Sequence, residues 1–292
     1  MEVKVGQGER DYFNGSIRTV ATESSVLVSS SRYLNNQELR HLIAQEMLRR
    51  NGPDLPNTAY IPDVAQILMT LEDFPRIMEL FEMEKARLPL FKAWCEKRSL
   101  SDFKKDEVKD CKPGTLGHAL YTWMTTSGYE LDLFYREIQV VNDLTFYLRQ
   151  AALNHDIEHL VTGFGPNHGG EIALLNGNMY SRVRYFHPEL AGFFNRIQGY
   201  LKAKTIMKDT LHYPEAMALN VEAEFVGASQ AHNWTYPIML ADWRAMVDWQ
   251  MEDIRRELGI TPVPAPDLWA DTNRLCNEND PAYGEPLPIA AE

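Results

Sequence analysis

A chain of 292 residues with 45% apolar and 24% charged side chains has globular composition and enough length for a sizeable core. No uninterrupted apolar run approaches the roughly 18–20 residues that a membrane span needs, and a formal net charge of −12 argues against a nucleic-acid partner, which calls for a basic face. Cys95, Cys111 and Cys276 are widely spaced and form no CxxC pair, so neither a disulfide framework nor a thiolate zinc ribbon is indicated and a reducing cytoplasm is expected.

The first 34 residues carry acids at Glu2, Glu9 and Asp11 and lack the basic and apolar regions of a secretory signal. A bacterial cytoplasmic protein is the simplest expectation. TVATESSVLVSSS within this lead-in has strand-like or disordered character. Helical spacing dominates from residue 35 onward. NNQELRHLIAQEMLRRNG has asparagine at its start, Leu39, Leu42, Ile43 and Leu48 at helical intervals, two closing arginines and a glycine, the pattern of a capped helix. Further helices are predicted over 62–72, 74–88, 89–98, 115–126, 143–162, 170–182, 188–208, 213–229 and 238–258, separated by Gly, Pro, Asn and Asp signals. The expectation is an all-α protein of about nine or ten helices in one domain, 35–260. The tail from 261 to 292, rich in proline and acid, is expected to wrap the surface or stay disordered.

The stretch 154–172, NHDIEHLVTGFGPNHGGEI, concentrates ligand-type side chains. On a helix over 143–162, His155 and His159 stand at i and i+4, so both imidazoles leave one face. Leu148, Ala151 and Ala152 fall near that stripe, which predicts an inward face. GFGPNHGG cannot continue the helix; its glycines permit a reversal, so that Glu171, in the first turn of a following helix, faces back toward the histidines. A metal site between two consecutive helices is predicted, with Asp156 as a fourth ligand or as an acceptor that orients an imidazole. This donor set suits a divalent transition metal, Zn, Fe, Mn or Co, with positions left open for water, dioxygen or substrate.

An isolated pair of histidines four apart more often hydrogen-bonds to its neighbours than binds metal. The adjacent aspartate and the glycine-rich turn ending in glutamate shift the reading to metal. His168 is ambiguous, and His118, His187 and His232 read as capping or core histidines. Glu158 points away from the ion on helical geometry, so a metalloprotease is disfavoured, and it is expected to be a solvent-facing or structural residue. A His-Asp dipeptide also fits a metal phosphohydrolase, which would need a further upstream histidine such as His118.

His155-Asp156-x-x-His159-x₁₁-Glu171 resembles the metal motif of the coenzyme Q biosynthesis protein 4 family. KPGTLGHALYTWM (112–124) is similar to the family's segment that opens a helix, and Ile254 to Pro262 resembles its closing helix and exit turn. The resemblance runs over about residues 35–265. It implies an all-α fold and a metal held by His155, Asp156, His159 and Glu171. It also implies oxidative decarboxylation and hydroxylation of the ring of a polyprenylated aromatic precursor of ubiquinone. Ala151, Ala152 and Leu153 depart from the charged residues that family members tend to carry before the motif. A non-catalytic scaffold that organises other ubiquinone-biosynthesis proteins is the alternative reading.

A homo-oligomer is expected, with a peripheral contact at the inner face of the membrane. FFNRIQGYLKAKTIMK (193–208) suggests one such contact: Phe193, Phe194, Ile197, Tyr200, Leu201 and Met207 fall near one face, with Arg196, Lys202, Lys204 and Lys208 largely elsewhere. An ordinary amphipathic surface helix has the same pattern.

Overall fold

The computed structural model describes residues 29–51, 59–128, 131, 135–265 and 267–276. Among these are thirteen α-helices and no strand. They are α1 (Gln37–Leu48), α2 (Ile61–Thr70), α3 (Phe74–Arg87), α4 (Pro89–Lys97), α5 (Lys105–Val108), α6 (Leu116–Ser127) and α7 (Asp143–Thr162). After these come α8 (His168–Tyr185), α9 (Pro188–Phe194), α10 (Arg196–His212), α11 (Pro214–Ala231), α12 (Met251–Leu258) and α13 (Asp271–Leu275). No helix among the described residues is long and apolar enough to cross a membrane.

Helix α7 spans two cores, which is why its sequence is buried on several sides. Leu144, Phe146 and Tyr147 enter an aromatic cluster with Phe81, Phe91, Trp94, Phe186 and Phe194. Within it the Phe91 and Phe186 rings meet edge to face at 5.1 Å. One and a half turns further on, Leu153, Ile157 and Val161 join the larger core around Trp243 and Ile254. Its interior amides are bonded: Gln150 donates to Ser101 Oγ (2.8 Å) and to Asn154 Oδ1 (2.9 Å), and Asn154 donates to the Met239 carbonyl (3.3 Å). Asn142 caps the first turn, and Asp143 binds Lys85 at 2.7 Å and Arg98 at 2.8 Å. Burial would raise the Asp143 carboxyl, but those two cations hold it below the usual carboxylate range.

Helices α8 and α11 form the most extensive helix pair. Their contact depends on Gly227, where an added Cβ would lie 2.0 Å from the Ala173 carbonyl oxygen. The predicted helices 62–72, 74–88, 89–98, 115–126 and 143–162 all form, with ends displaced by a residue or two.

Three expectations need correction. The predicted helix 188–208 is two helices, because Arg182 donates to the Phe194 carbonyl at 3.0 Å and the Asn195 amide group turns away to the Met179 carbonyl. The predicted helix 238–258 begins with a 3₁₀ turn over Ile238–Leu240 and is helical only from Met251. Its intervening residues pair with the backbone that opens α6: Leu116 N–H donates to Trp249 O (3.1 Å) and Gly117 N–H to Val247 O (2.8 Å). The upstream segment that carried a flanking resemblance is therefore paired with the backbone just ahead of the downstream one. Finally, the faces predicted for 193–208 are not the observed ones, since Phe193, Phe194, Lys204 and Lys208 are buried while Met207 is exposed. In α1, likewise, Leu48 is exposed and Glu46 is buried against Lys204.

The described part of the tail packs into the body of the protein. Trp269 is 1% exposed, and α13 packs on α8 and α11. Residues 1–28 of the lead-in and 277–292 of the tail lie outside the described residues. Gly227→Ala is expected to force α8 and α11 apart and cost about 1–3 kcal/mol, read as a lowered Tm in thermal unfolding.

Candidate metal centre

Gly163 ends α7 with a φ of +77°, and its N–H donates to the His159 carbonyl at 2.9 Å. Asn167 caps α8 by accepting from Gly170 N–H at 2.9 Å. A Cβ at Gly170 would sit 1.9 Å from the Gly165 carbonyl oxygen, so a side chain there would open the reversal. The turn brings Glu171 back onto the last turns of α7, as its glycines predict.

His155, His159 and Glu171 offer ligand atoms that all lie within 4.8 Å of one another. Glu171 Oε2 is 3.1 Å from His155 Nε2, and Oε1 is 3.2 Å from His159 Nε2. Bond lengths of about 2.0–2.2 Å to a central ion need only a small contraction of this group. The outer nitrogens are already taken. His159 Nδ1 lies 2.9 Å from the Phe164 carbonyl, which only accepts, so Nδ1 carries a proton and Nε2 is the nitrogen turned toward Glu171. That buried Nε2 makes no hydrogen bond of its own. His155 Nδ1 contacts Asp156 Oδ1 at 3.2 Å. Asp156 is therefore placed on the outer side of His155 and is not one of the three converging groups.

The face is not wholly inward. Leu148, Ala151 and Ala152 are half-buried, and the fully buried stripe of α7 is its neighbour. The His155 side chain is 46% exposed and that of Glu171 40%, whereas His159 is buried. One side of the centre is thus open to a ligand and the other is fixed in protein, as suits a site that keeps open positions.

Burial would lower the His155 imidazole, but the Glu171 and Asp156 carboxylates outweigh it and hold it well above 6.5. Burial would raise Glu171, yet the two imidazoles hold it well below 4.5. Without metal, a doubly protonated His155 binds both carboxylates. A metal would take the place of its Nε2 proton.

Two residues outside the converging set hold α7. Arg255 of α12 donates to the Val161 and Leu160 carbonyls at 2.8 and 3.2 Å, capping the end of α7 with a cation. Its only sequence signal is its place in the closing helix segment. Glu158 is buried rather than solvent-facing, accepts from Asn178 Nδ2 at 2.7 Å, and burial raises its carboxyl. The expectation that it is structural fits this hydrogen bond.

The other histidines separate. His187 caps α9, and His232 meets the Tyr180 hydroxyl at 2.9 Å. His118, needed for a phosphohydrolase, joins no group of converging ligands among the described residues. His168 does join one, with Asp209 and Cys276.

The architecture and this site define an all-helical protein with a two-histidine, one-carboxylate centre between consecutive helices. The sequence profile of the coenzyme Q (ubiquinone) biosynthesis protein Coq4 family matches residues 97–264. The chain belongs to that family, and membership carries a role in ubiquinone biosynthesis. A crystal structure from Nostoc punctiforme, of a protein assigned by name to ubiquinone biosynthesis, shares the fold with a TM-score of 0.58. The match is 22% identical and covers 75% of this chain and 95% of that one. No protein of curated function matches.

The proton on His155 sets a pH dependence. Its contribution to the metal-free chain is complete below pH 6.5 and is lost as pH rises through its raised pKa. Glu171 contributes above pH 4.5, a contribution lost as pH falls through its depressed pKa. Metal affinity should climb with pH across the His155 titration, with about one proton released per ion below it. Calorimetric titrations in buffers of different ionisation enthalpy check the release. Arg255→Ala should lower stability by about 1.5–3 kcal/mol through the lost charged hydrogen bonds, measured by denaturant unfolding.

Proposed function

We propose that the chain binds one divalent transition ion through His155, His159 and Glu171 and acts on the ring of a polyprenylated aromatic ubiquinone precursor. In this reading the ring carboxyl leaves as carbon dioxide and a hydroxyl replaces it, a two-electron oxidation that needs an external oxidant such as dioxygen. The carrying observation is the convergence of two imidazoles and a carboxylate whose outer atoms are already engaged. Family membership supplies the pathway.

The bound ion would supply Lewis acidity or oxidant activation at the open side. The chain's own groups do the rest. Asp156 and the Phe164 carbonyl hold the two rings by their outer nitrogens, so both inner nitrogens address one point. Arg255 fixes the end of the helix that carries them. The half-exposed His155 and Glu171 leave an approach for a ring bearing an anionic carboxyl group.

A groove of about 470 Å³ beside Met179, Ala203, Ile206, Met207 and Val221 supports accommodation of an isoprenoid tail. The same region favours the second reading, a scaffold for other enzymes of the pathway. Leu211, Val221 and Phe225 also project outward, and Phe225 is 72% exposed.

Elemental analysis of purified chain, paired with conversion of a carboxylated polyprenyl precursor followed by mass spectrometry, tests the reading. His155→Ala or Glu171→Ala should abolish binding at this centre and cut turnover by at least about 100-fold. Both variants retaining full metal and turnover would sink the centre. A metal-loaded chain that leaves the precursor unchanged would favour the scaffold.

A further inference from the structure

A second set of ligand-type side chains converges away from the centre just described. His168 opens α8, Asp209 lies in the last turn of α10, and Cys276 follows α13. Their donor atoms lie within 4.8 Å of one another and all three residues are buried. Cys276 Sγ is 4.0 Å from Asp209 Oδ1. The three come from remote parts of the chain, and Cys276 lies beyond residues 97–264, the part matched by the family.

The surroundings aim these groups at one another. Asn220 Nδ2 donates to Asp209 Oδ2 at 2.6 Å, which leaves Oδ1 toward the cysteine. Asn51 Nδ2 donates to the Cys276 carbonyl at 3.3 Å and its Oδ1 accepts from Lys208 Nζ at 2.6 Å, while its backbone N–H donates to the Tyr213 hydroxyl at 2.5 Å. The nearby Lys204 cation is paired with Glu46 at 3.2 Å. His168 N–H donates to Asn273 Oδ1 (2.7 Å) and Gly169 N–H to Thr272 Oγ1 (2.9 Å), so α13 side chains satisfy two free N–H groups at the start of α8.

We propose that His168, Asp209 and Cys276 form a second metal site, for a thiophilic divalent transition ion of the zinc class, that fastens the C-terminal segment across the start of α8. Thiolate, imidazole and carboxylate select such an ion over magnesium or calcium. Tetrahedral bonds of about 2.0–2.3 Å place donors about 3.5 Å apart, within a modest side-chain adjustment of the observed spacing. Burial explains why an ion belongs here. It drives the Asp209 carboxyl up to about 6, and burial together with Lys204 and Lys208 takes the His168 imidazole down to about 4, so the imidazole offers a lone pair. An ionised thiol and carboxylate together match the two charges of the ion. Glu171 stands one turn into the same helix, so a clip at His168 would also steady the first centre. The site uses none of the donors of that centre, and the inference does not depend on the proposed activity.

The discriminating probe is cobalt(II) on the purified, metal-stripped full chain. A thiolate ligand gives a sulfur-to-cobalt charge-transfer band in the near ultraviolet, which nitrogen and oxygen donors alone do not. We expect two cobalt ions per chain and this band. Cys276→Ala should lose the band and one ion. His155→Ala should lose the other ion and keep the band, as should Cys95→Ala and Cys111→Ala, which should retain both ions. A cobalt-loaded wild-type chain without the band, or a band that persists in Cys276→Ala, overturns the site. Should Cys276→Ala fail to fold, the near-isosteric Cys276→Ser decides: it should lose the band, and a band that persists in Cys276→Ser overturns the site.

Discussion

Between Gly163 and Gly170 the chain reverses so tightly that the Gly165 carbonyl occupies the space a side chain on Gly170 would need. This turn sets the distance between the histidines that end α7 and the glutamate that begins α8. It also supplies the Phe164 carbonyl that fixes the His159 ring. The same backbone therefore brings the ligands together and orients one of them. Arg255 closes the arrangement from outside by taking carbonyls that the end of α7 leaves unbonded. A metal at the candidate centre would tolerate little error in ligand placement, and a reversal held at several independent points would provide that rigidity.

Polarity is distributed in reverse on α10. Its buried residues are Lys204, Thr205, Lys208 and Asp209, while Met207 and Leu211 face outward. Burying the Lys204–Glu46 pair costs desolvation of both ions, and its close geometry offsets part of that cost. The inward polar groups bind Asn51 and Asn220 and so tie α10 to remote segments. The apolar groups displaced outward leave exposed apolar side chains on this face. One helix thus links a polar interior to an apolar exterior, the inverse of a usual amphipathic surface helix.

The flanking segments gain a physical meaning from the backbone that links them. KPGTLGHALYTWM opens α6 with N–H groups that need acceptors, and the backbone before α12 supplies them. That pairing positions α12, from which Arg255 reaches the end of α7. Sequence similarity at three separated places therefore corresponds to one mechanical unit around the centre.

Much of this was legible in the order of residues. The i, i+4 spacing of His155 and His159, the glycine-rich interruption and Glu171 beyond it determine a convergence because helix periodicity and turn chemistry are local. The all-helical class follows for the same reason. Tertiary structure alone decided the rest. It broke the helix at Asn195, because Arg182 competes for the Phe194 carbonyl, and it delayed the start of α12 until its preceding residues had paired with α6. It buried Glu158 and placed Asp156 behind His155 rather than beside it. It also gathered His168, Asp209 and Cys276 from positions far apart in the chain. Those outcomes depend on which remote group stands opposite each residue, and no local spacing encodes that.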